Sequence, residues 1–206
     1  AAIGANLSVK KAVGNLIVDI GGGTTEIAVI SLGGMVVSSS LRIAGDQLDM
    51  DIVNYARQKY NLLLGEKTAE EIKCKYGRAM EILGDSVNEA KEVVLQGRDL
   101  KTGLPRSIQV PISELEGAMK GSLQQIIDAV KDAIEIVPAE LMPDILSKGL
   151  TLAGGTANLK GLDRLFSRVT VVLRNVLSDK VACVVMGCGK LLEDDNLLTM
   201  VCINQN

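Results

Sequence analysis

Asn15-Leu16-Ile17-Val18-Asp19-Ile20-Gly21-Gly22-Gly23-Thr24-Thr25-Glu26-Ile27-Ala28-Val29-Ile30 reads as strand, glycine turn and strand. Two apolar runs rich in β-branched residues bracket a turn that glycine makes most easily, because consecutive glycines permit positive φ and leave no Cβ between the backbone and a guest. Such a turn can aim several N–H groups into one space. Amide dipoles there suit a phosphate, and the hydroxyls of Thr24 and Thr25 add donors. Asp19, two residues before the turn, is placed to hold a hydrated Mg²⁺ beside that phosphate, the arrangement hard divalent cations prefer. Taken in isolation, the same residues also describe a plain hairpin whose Asp19 caps the turn.

Outward from this stretch, the opening is an antiparallel meander. Gly33-Gly34 makes a second turn and residues 35–43 give a third strand. Asp46 is expected to N-cap a helix over residues 47–60, in which Leu48, Ile52, Val53 and Ala56 recur at helical spacing. Thr68-Ala69-Glu70-Glu71 fits a capping box that opens a second helix. In that helix Glu70 and Lys73 share a face and read, by spacing alone, as a solvated ion pair. Residues 87–112 alternate apolar positions with turns at Gln96-Gly97-Arg98 and Gly103-Leu104-Pro105, which predicts two or three short strands.

Ser113 is expected to cap an amphipathic helix reaching residue 137, with Leu115, Met119, Leu123, Ile126, Ile127, Val130 and Ile134 as its stripe. Leu150-Thr151-Leu152-Ala153 reads as a buried strand entering Gly154-Gly155-Thr156-Ala157, followed by a helix to residue 167, a strand over 169–176 and a final helix. A glycine turn between a strand end and a helix start lets backbone approach a flat ligand, although an ordinary βα turn looks the same. Residues 1–7 read as the end of a helix. The fold class is α/β: a mixed sheet opening with the antiparallel meander and covered by helices. It divides into a large subdomain, 1–45 and 111–206, and a small α+β insertion, 46–110.

Composition narrows the function classes. The 206 residues are 47% hydrophobic and 23% charged, enough to bury a substantial core as one domain or two small lobes. A net charge of −3 and a pI of about 5.1 provide no basic field for nucleic acid or an anionic membrane. Aromatic content of 2% argues against base-stacking surfaces. The cysteines, Cys74, Cys183, Cys188 and Cys202, show no C-x-x-C spacing and the chain has no histidine, which excludes the usual zinc sites and His-dependent triads. Reduced thiols are expected, with Cys183 a small core residue in a strand. No apolar run approaches a membrane span and the start lacks a signal-peptide pattern, so the expected location is the cytoplasm. The first residue is not Met, which suggests an excerpt of a longer chain.

The Asp19-Ile20-Gly21-Gly22-Gly23-Thr24-Thr25-Glu26 run resembles the second phosphate loop of the actin-like ATPases. Its extension to Ser40-Leu41-Arg42-Ile43-Ala44-Gly45-Asp46 is similar to the MreB family of bacterial cell-shape proteins, and the likeness continues from Ala1 to about Glu193. The resemblance implies the C-terminal, ribonuclease H-like half of such a molecule, with ATP and Mg²⁺ as cofactors. It places Gly21, Gly22, Gly23, Thr24 and Thr25 on the β/γ-phosphates and Asp19 on the metal through water. Gly65-Glu66-Lys67-Thr68-Ala69-Glu70-Glu71-Ile72-Lys73 matches the segment facing ribose and adenine, which gives those roles to Glu70 and Lys73. Gly154, Gly155, Thr156 and Ala157 would line the adenine. Thr156 stands where the family usually has a third glycine, so its Cβ is expected close to the nucleotide. Val171-Val172-Leu173 and Asp179-Lys180 depart from the family's Gly-Ile-Pro and Asp-Pro.

The water-activating acid of such proteins is expected before Ala1, so no catalytic residue is assigned and ATP hydrolysis is expected only together with the first half. Self-association into filaments and a membrane-linked morphogenesis protein docking on the large subdomain are implied partners. The competing readings are a DnaK-type chaperone ATPase, a cell-division actin relative or a sugar kinase of the same fold, and a degenerate, non-catalytic interaction module.

Overall fold

The quoted stretch forms β1 (Asn15–Ile20) and β2 (Thr25–Ser31), paired antiparallel with Ile20 opposite Thr25, so residues 21–24 are the whole turn. The computed structural model describes residues 1–79, 92–170, 174–175 and 179–203. β3 (Gly34–Leu41) pairs antiparallel with β2 and completes the meander.

α1 (Gly45–Tyr60) buries Leu48, Ile52, Val53 and Ala56, the residues its periodicity singles out. Its start differs from expectation. Asp46 lies in the first turn and no side chain caps the helix; the Gly45 and Asp46 amides donate instead to the carbonyls of Gly21 and Gly22. A helix whose first N–H groups already have backbone acceptors needs no side-chain cap. Asn61, at φ 52°, closes the helix in the left-handed conformation.

β4 (Leu62–Leu63) is followed by α2 (Glu66–Tyr76). This helix starts after an extended Gly65, so Thr68 sits inside it and the capping box does not form. β5 (Glu92–Asp99) and β6 (Pro105–Pro111) make a hairpin, and β4 pairs with β5 to give a separate three-stranded antiparallel sheet. The expected turn at Gln96-Gly97-Arg98 is strand; glycine is required there because the Leu63 carbonyl of β4 occupies the space of a Cβ on Gly97. Positions 87–91 of the expected strand region lie outside the described residues.

α3 (Ile112–Glu135) begins directly after Pro111 rather than from a Ser113 cap, and it buries Leu115, Met119, Leu123, Ile126, Ile127 and Val130. Its first turn carries the tie to α1. One oxygen of Glu114 accepts the hydroxyls of Tyr55 and Tyr60 and lies 2.8 Å from Lys59 Nζ, while the two rings meet edge to face at 6.0 Å. Glu114→Ala is therefore expected to cost about 1–3 kcal/mol, read as a lower denaturant midpoint at unchanged slope, since two part-buried hydroxyls lose their acceptor.

A short 3₁₀ turn (Ala139–Leu141) and α4 (Met142–Lys148) lead to β7 (Leu150–Ala153), which lies parallel to β1 with Ala153 beside Asp19. A second 3₁₀ turn (Thr156–Asn158) precedes α5 (Leu162–Thr170), and β8 (Arg174–Asn175) runs parallel to β7. Val169 and Thr170 are thus helical, not strand. Val171-Val172-Leu173 and Val176 lie outside the described residues. α6 (Cys183–Glu193) and α7 (Asp195–Ile203) end the described chain, which puts Cys183 at a helix start rather than in a strand. Residues 1–7 form hydrogen-bonded turns, with Leu7 N–H donating to Ala2 O, and Asn6 at φ 58° ends them.

The main sheet has the order β3-β2-β1-β7-β8, an antiparallel meander joined to a parallel pair. β1 is central and buried on both faces. Leu16, Val18 and Ile20 enter a core with α1, α3 and Phe166 of α5, whereas Ile17 packs on the opposite face with Ala2, Val9, Ala153 and Cys183. The larger core continues through Leu62, Leu95 and Val110 of the second sheet.

Candidate functional site

The β1–β2 turn is held from beneath by its carbonyls. Gly21 N–H closes the turn on Thr24 O at 2.9 Å. Gly21 O accepts from Gly45 N–H at 3.1 Å and from the Thr156 hydroxyl at 2.8 Å, and Gly22 O accepts from Asp46 N–H at 2.8 Å. In a trans peptide the N–H points opposite the carbonyl, so the amides of Gly22 and Gly23 face away from the protein. Gly22, Gly23 and Thr24 are exposed, and among the described residues their N–H groups have no acceptor. Thr25 behaves differently from the sequence reading. It is fully buried and its hydroxyl donates to Ile43 O at 2.7 Å, so it anchors the strand and offers a ligand no side-chain donor.

Asp19 sits at the end of β1, partly buried, beside the second glycine corner. Burial pushes its carboxyl above the usual range; the amino group of Ala1 pulls the other way and the charge of Glu26 adds to the rise. Its Oδ1 lies 2.6 Å from where a Cβ on Gly154 would stand, and Gly154 has φ +87°. Gly154 N–H is fixed to Lys180 O at 2.8 Å. Gly155 is exposed with open space around its Cβ position, so it forms the outer face of the corner. Thr156 is turned inward onto Gly21 O, while Ala157 puts its side chain in the core and its carbonyl on Lys180 Nζ at 2.7 Å. Among the described residues no three His, Cys, Asp or Glu side chains form a metal cage. A cation at Asp19 would complete its shell with water and ligand oxygens, as Mg²⁺ does beside phosphates.

Lys73 reaches the same place from α2. Its Nζ donates to Gly45 O and to Asp49 Oδ2, both at 2.8 Å, and both side chains are about nine-tenths buried. The solvated Glu70–Lys73 pair suggested by spacing is replaced by this buried pair, because α2 packs on α1 and turns Lys73 toward it. Glu70 stays exposed, near enough for its charge to raise the pKa of Asp49. Burial is the main cause of that rise, and the Lys73 hydrogen bond opposes it. A Cβ on Gly45 would stand 2.7 Å from Thr156 Oγ1, 3.2 Å from Lys73 Nζ and 3.3 Å from Gly21 O. Three segments distant in sequence therefore converge on Gly45. Sequence reasoning missed Gly45, Asp49 and Lys180. Asp49 did carry a signal: it precedes Ile52, Val53 and Ala56 by three, four and seven residues, an acid on the apolar stripe of α1.

A three-stranded antiparallel meander joined to parallel strands, with a glycine turn facing a glycine corner, defines an actin-fold protein. The family model for MreB/Mbl protein matches residues 1–200, and the chain belongs to that family of actin-like cell-shape proteins. It is 44% identical over 194 residues to the cell shape-determining protein Mbl of Bacillus subtilis (strain 168), covering 94% of this chain and 57% of the relative. Against the cell shape-determining protein MreB of Escherichia coli (strain K12) it is 47% identical over 193 residues, covering 94% and 54%. The chain thus spans about half the length of these curated relatives.

Among solved structures, MreB5 of Spiroplasma citri bound to ADP superposes with a TM-score of 0.86 at 32% identity, over 100% of this chain and 60% of that one. The same protein bound to AMPPNP gives 0.85 at 34%, over 93% and 56%. The MamK double helical filament, at 0.73 and 19% identity over 94% and 57%, shares the fold. Family membership sets aside the chaperone and sugar-kinase readings. Among the described residues no helix is long and apolar enough to cross a membrane.

Proposed function

We propose that the chain supplies one half of an ATP–Mg²⁺ clamp in an actin-like cell-shape filament protein. The observation that carries this reading is the set of three exposed amides, at Gly22, Gly23 and Thr24, that have no acceptor among the described residues, beside the Asp19 carboxylate and against the Gly154 corner. The ADP and AMPPNP bound to the MreB5 relative support it. In this reading the amides and the Thr24 hydroxyl hold phosphate oxygens. Asp19 orients a hydrated Mg²⁺, which when bound neutralises charge on the β- and γ-oxygens. Glu70 flanks the sugar and base on one side and Gly154 and Gly155 on the other, with the buried Lys73, Thr156 and Ala157 holding these two walls from behind. The large subdomain (1–45 and 111–206) carries the phosphate turn and the glycine corner, and the insertion (46–110) carries the α2 wall. Groups from another segment complete the closure and activate the water, so this half holds nucleotide and turns over little of it. The MamK filament supports self-association as the assembled state; a membrane-linked partner docking on the large subdomain and a cytoplasmic location complete the reading.

The test is calorimetric titration of the chain with AMPPNP, with and without Mg²⁺. Binding strengthened by Mg²⁺ is expected. Asp19→Asn should remove about tenfold of that strengthening, the order of one charge-assisted contact, while leaving Mg²⁺-free affinity unchanged. Because burial raises the Asp19 pKa, the Mg²⁺ increment should fade on acidification at a higher pH than an ordinary aspartate would give. Absence of binding at millimolar nucleotide, or a Mg²⁺ increment indifferent to Asp19→Asn, would overturn the assignment.

A further inference from the structure

We infer that the Thr156 hydroxyl is a positioning group for the phosphate turn: by holding the Gly21 carbonyl inward it keeps the Gly22 N–H aimed at the bound anion. This deepens the nucleotide reading above and rests on it.

The Gly21–Gly22 peptide lies between two residues without Cβ atoms, so its plane can rotate with little steric resistance. Rotation by half a turn would bring the carbonyl outward and the amide inward, replacing a donor by an acceptor where phosphate is expected. Among the described residues two donors oppose it, Gly45 N–H at 3.1 Å and Thr156 Oγ1 at 2.8 Å, and the hydroxyl makes the shorter bond. Thr156 is 9% exposed, so water does not readily replace that bond. Gly45 cannot be substituted to compensate, since its Cβ position lies 2.7 Å from the same hydroxyl. A residue of the glycine corner thereby sets the geometry of the phosphate turn. An apolar side chain at position 156 leaves the peptide, among the described residues, to the Gly45 amide alone.

The experiment compares Thr156→Val, which keeps the shape, with Thr156→Ser, which keeps the donor. Magnesium AMPPNP and adenosine are the probes, and the ¹⁵N–¹H resonance of Gly22 reports the turn. For Thr156→Val the AMPPNP Kd should rise about tenfold, the scale of one net hydrogen bond, while adenosine binding stays within about twofold. Thr156→Ser should restore the AMPPNP affinity, and the Gly22 resonance should respond to AMPPNP in the wild type and Thr156→Ser but weakly in Thr156→Val. If Thr156→Val binds AMPPNP like the wild type, or loses AMPPNP and adenosine equally, the positioning role is wrong. If the wild type binds neither probe, the nucleotide reading itself fails, a result distinct from the first two.

Discussion

Lys73→Met is expected to destabilise the fold by about 3–5 kcal/mol at neutral pH, the cost of leaving one member of a buried ion pair alone. The ammonium is the only hydrogen-bond donor that Asp49 has among the described residues, and Asp49 Oδ1 is already buried without a partner. Removing it also frees the Gly45 carbonyl, at the point where the turn and the glycine corner meet. For a chain of this size the loss corresponds to a melting point lower by about 6–20 °C.

The pH dependence of that loss gives a sharper test than its size. Burial holds the Asp49 pKa above its ordinary value even with Lys73 present. Between the ordinary value and the raised one the native state binds more protons than the unfolded state. Stability therefore falls as pH rises through that window and returns as pH falls below it. Without Lys73 the folded pKa moves further up and the window widens. Thermal melts across pH should show the Lys73→Met deficit largest near neutrality and shrinking toward the ordinary carboxylate range. The double variant Lys73→Met/Asp49→Asn should recover much of the loss. A deficit that is small or indifferent to pH would mean that water reaches Asp49 and the pair is not the buried tie described above.

The same residues show where sequence reading succeeds and where it stops. The β1–turn–β2 unit is legible because alternation, β-branching and three glycines agree, and α1 and α3 are legible because their apolar residues recur at helical spacing and are buried. In place of the caps expected at Thr68 and Ser113, α2 and α3 start after Gly65 and Pro111 with no side-chain cap, and at Asp46 the physical reason is visible. A side chain able to cap is visible in sequence, whereas a backbone acceptor delivered from elsewhere, such as Gly21 O for Gly45 N–H, is not. By spacing alone Lys73 reads as half of a solvated pair with Glu70; its burial depends on Asp49 of another helix, a tertiary fact. Thr25 looked like a ligand donor until Ile43 O took its hydroxyl. Cys183 reads as a small core residue of a strand, yet it starts α6, because local β-propensity yields to context.

The two neighbouring glycines of the corner should respond to alanine in opposite ways, and this contrast separates a fold requirement from a ligand requirement. Gly154→Ala is expected to cost about 2–4 kcal/mol. A Cβ at φ +87° is strained in itself, and here it would also stand against the Ile20 carbonyl and 2.6 Å from Asp19 Oδ1. Neither neighbour can yield easily, because β1 and β7 are locked in parallel register, with Asp19 beside Ala153, and Gly154 N–H is held by Lys180 O. Relief would come by parting the ends of these strands, so Asp19 would move and Mg²⁺-dependent nucleotide affinity would fall together with the melting point. Gly155, by contrast, has helical dihedrals, φ −64° and ψ −42°, and nothing within 4 Å of its Cβ position. Gly155→Ala should leave stability within about 0.5 kcal/mol of the wild type, since alanine reduces unfolded-chain freedom without native strain. Its methyl would nevertheless project into the open face of the corner, so AMPPNP affinity should drop while the fold stays intact. Equal melting points for the two variants would refute the steric account of Gly154, and undiminished AMPPNP binding by Gly155→Ala would show that the nucleotide base does not approach this face.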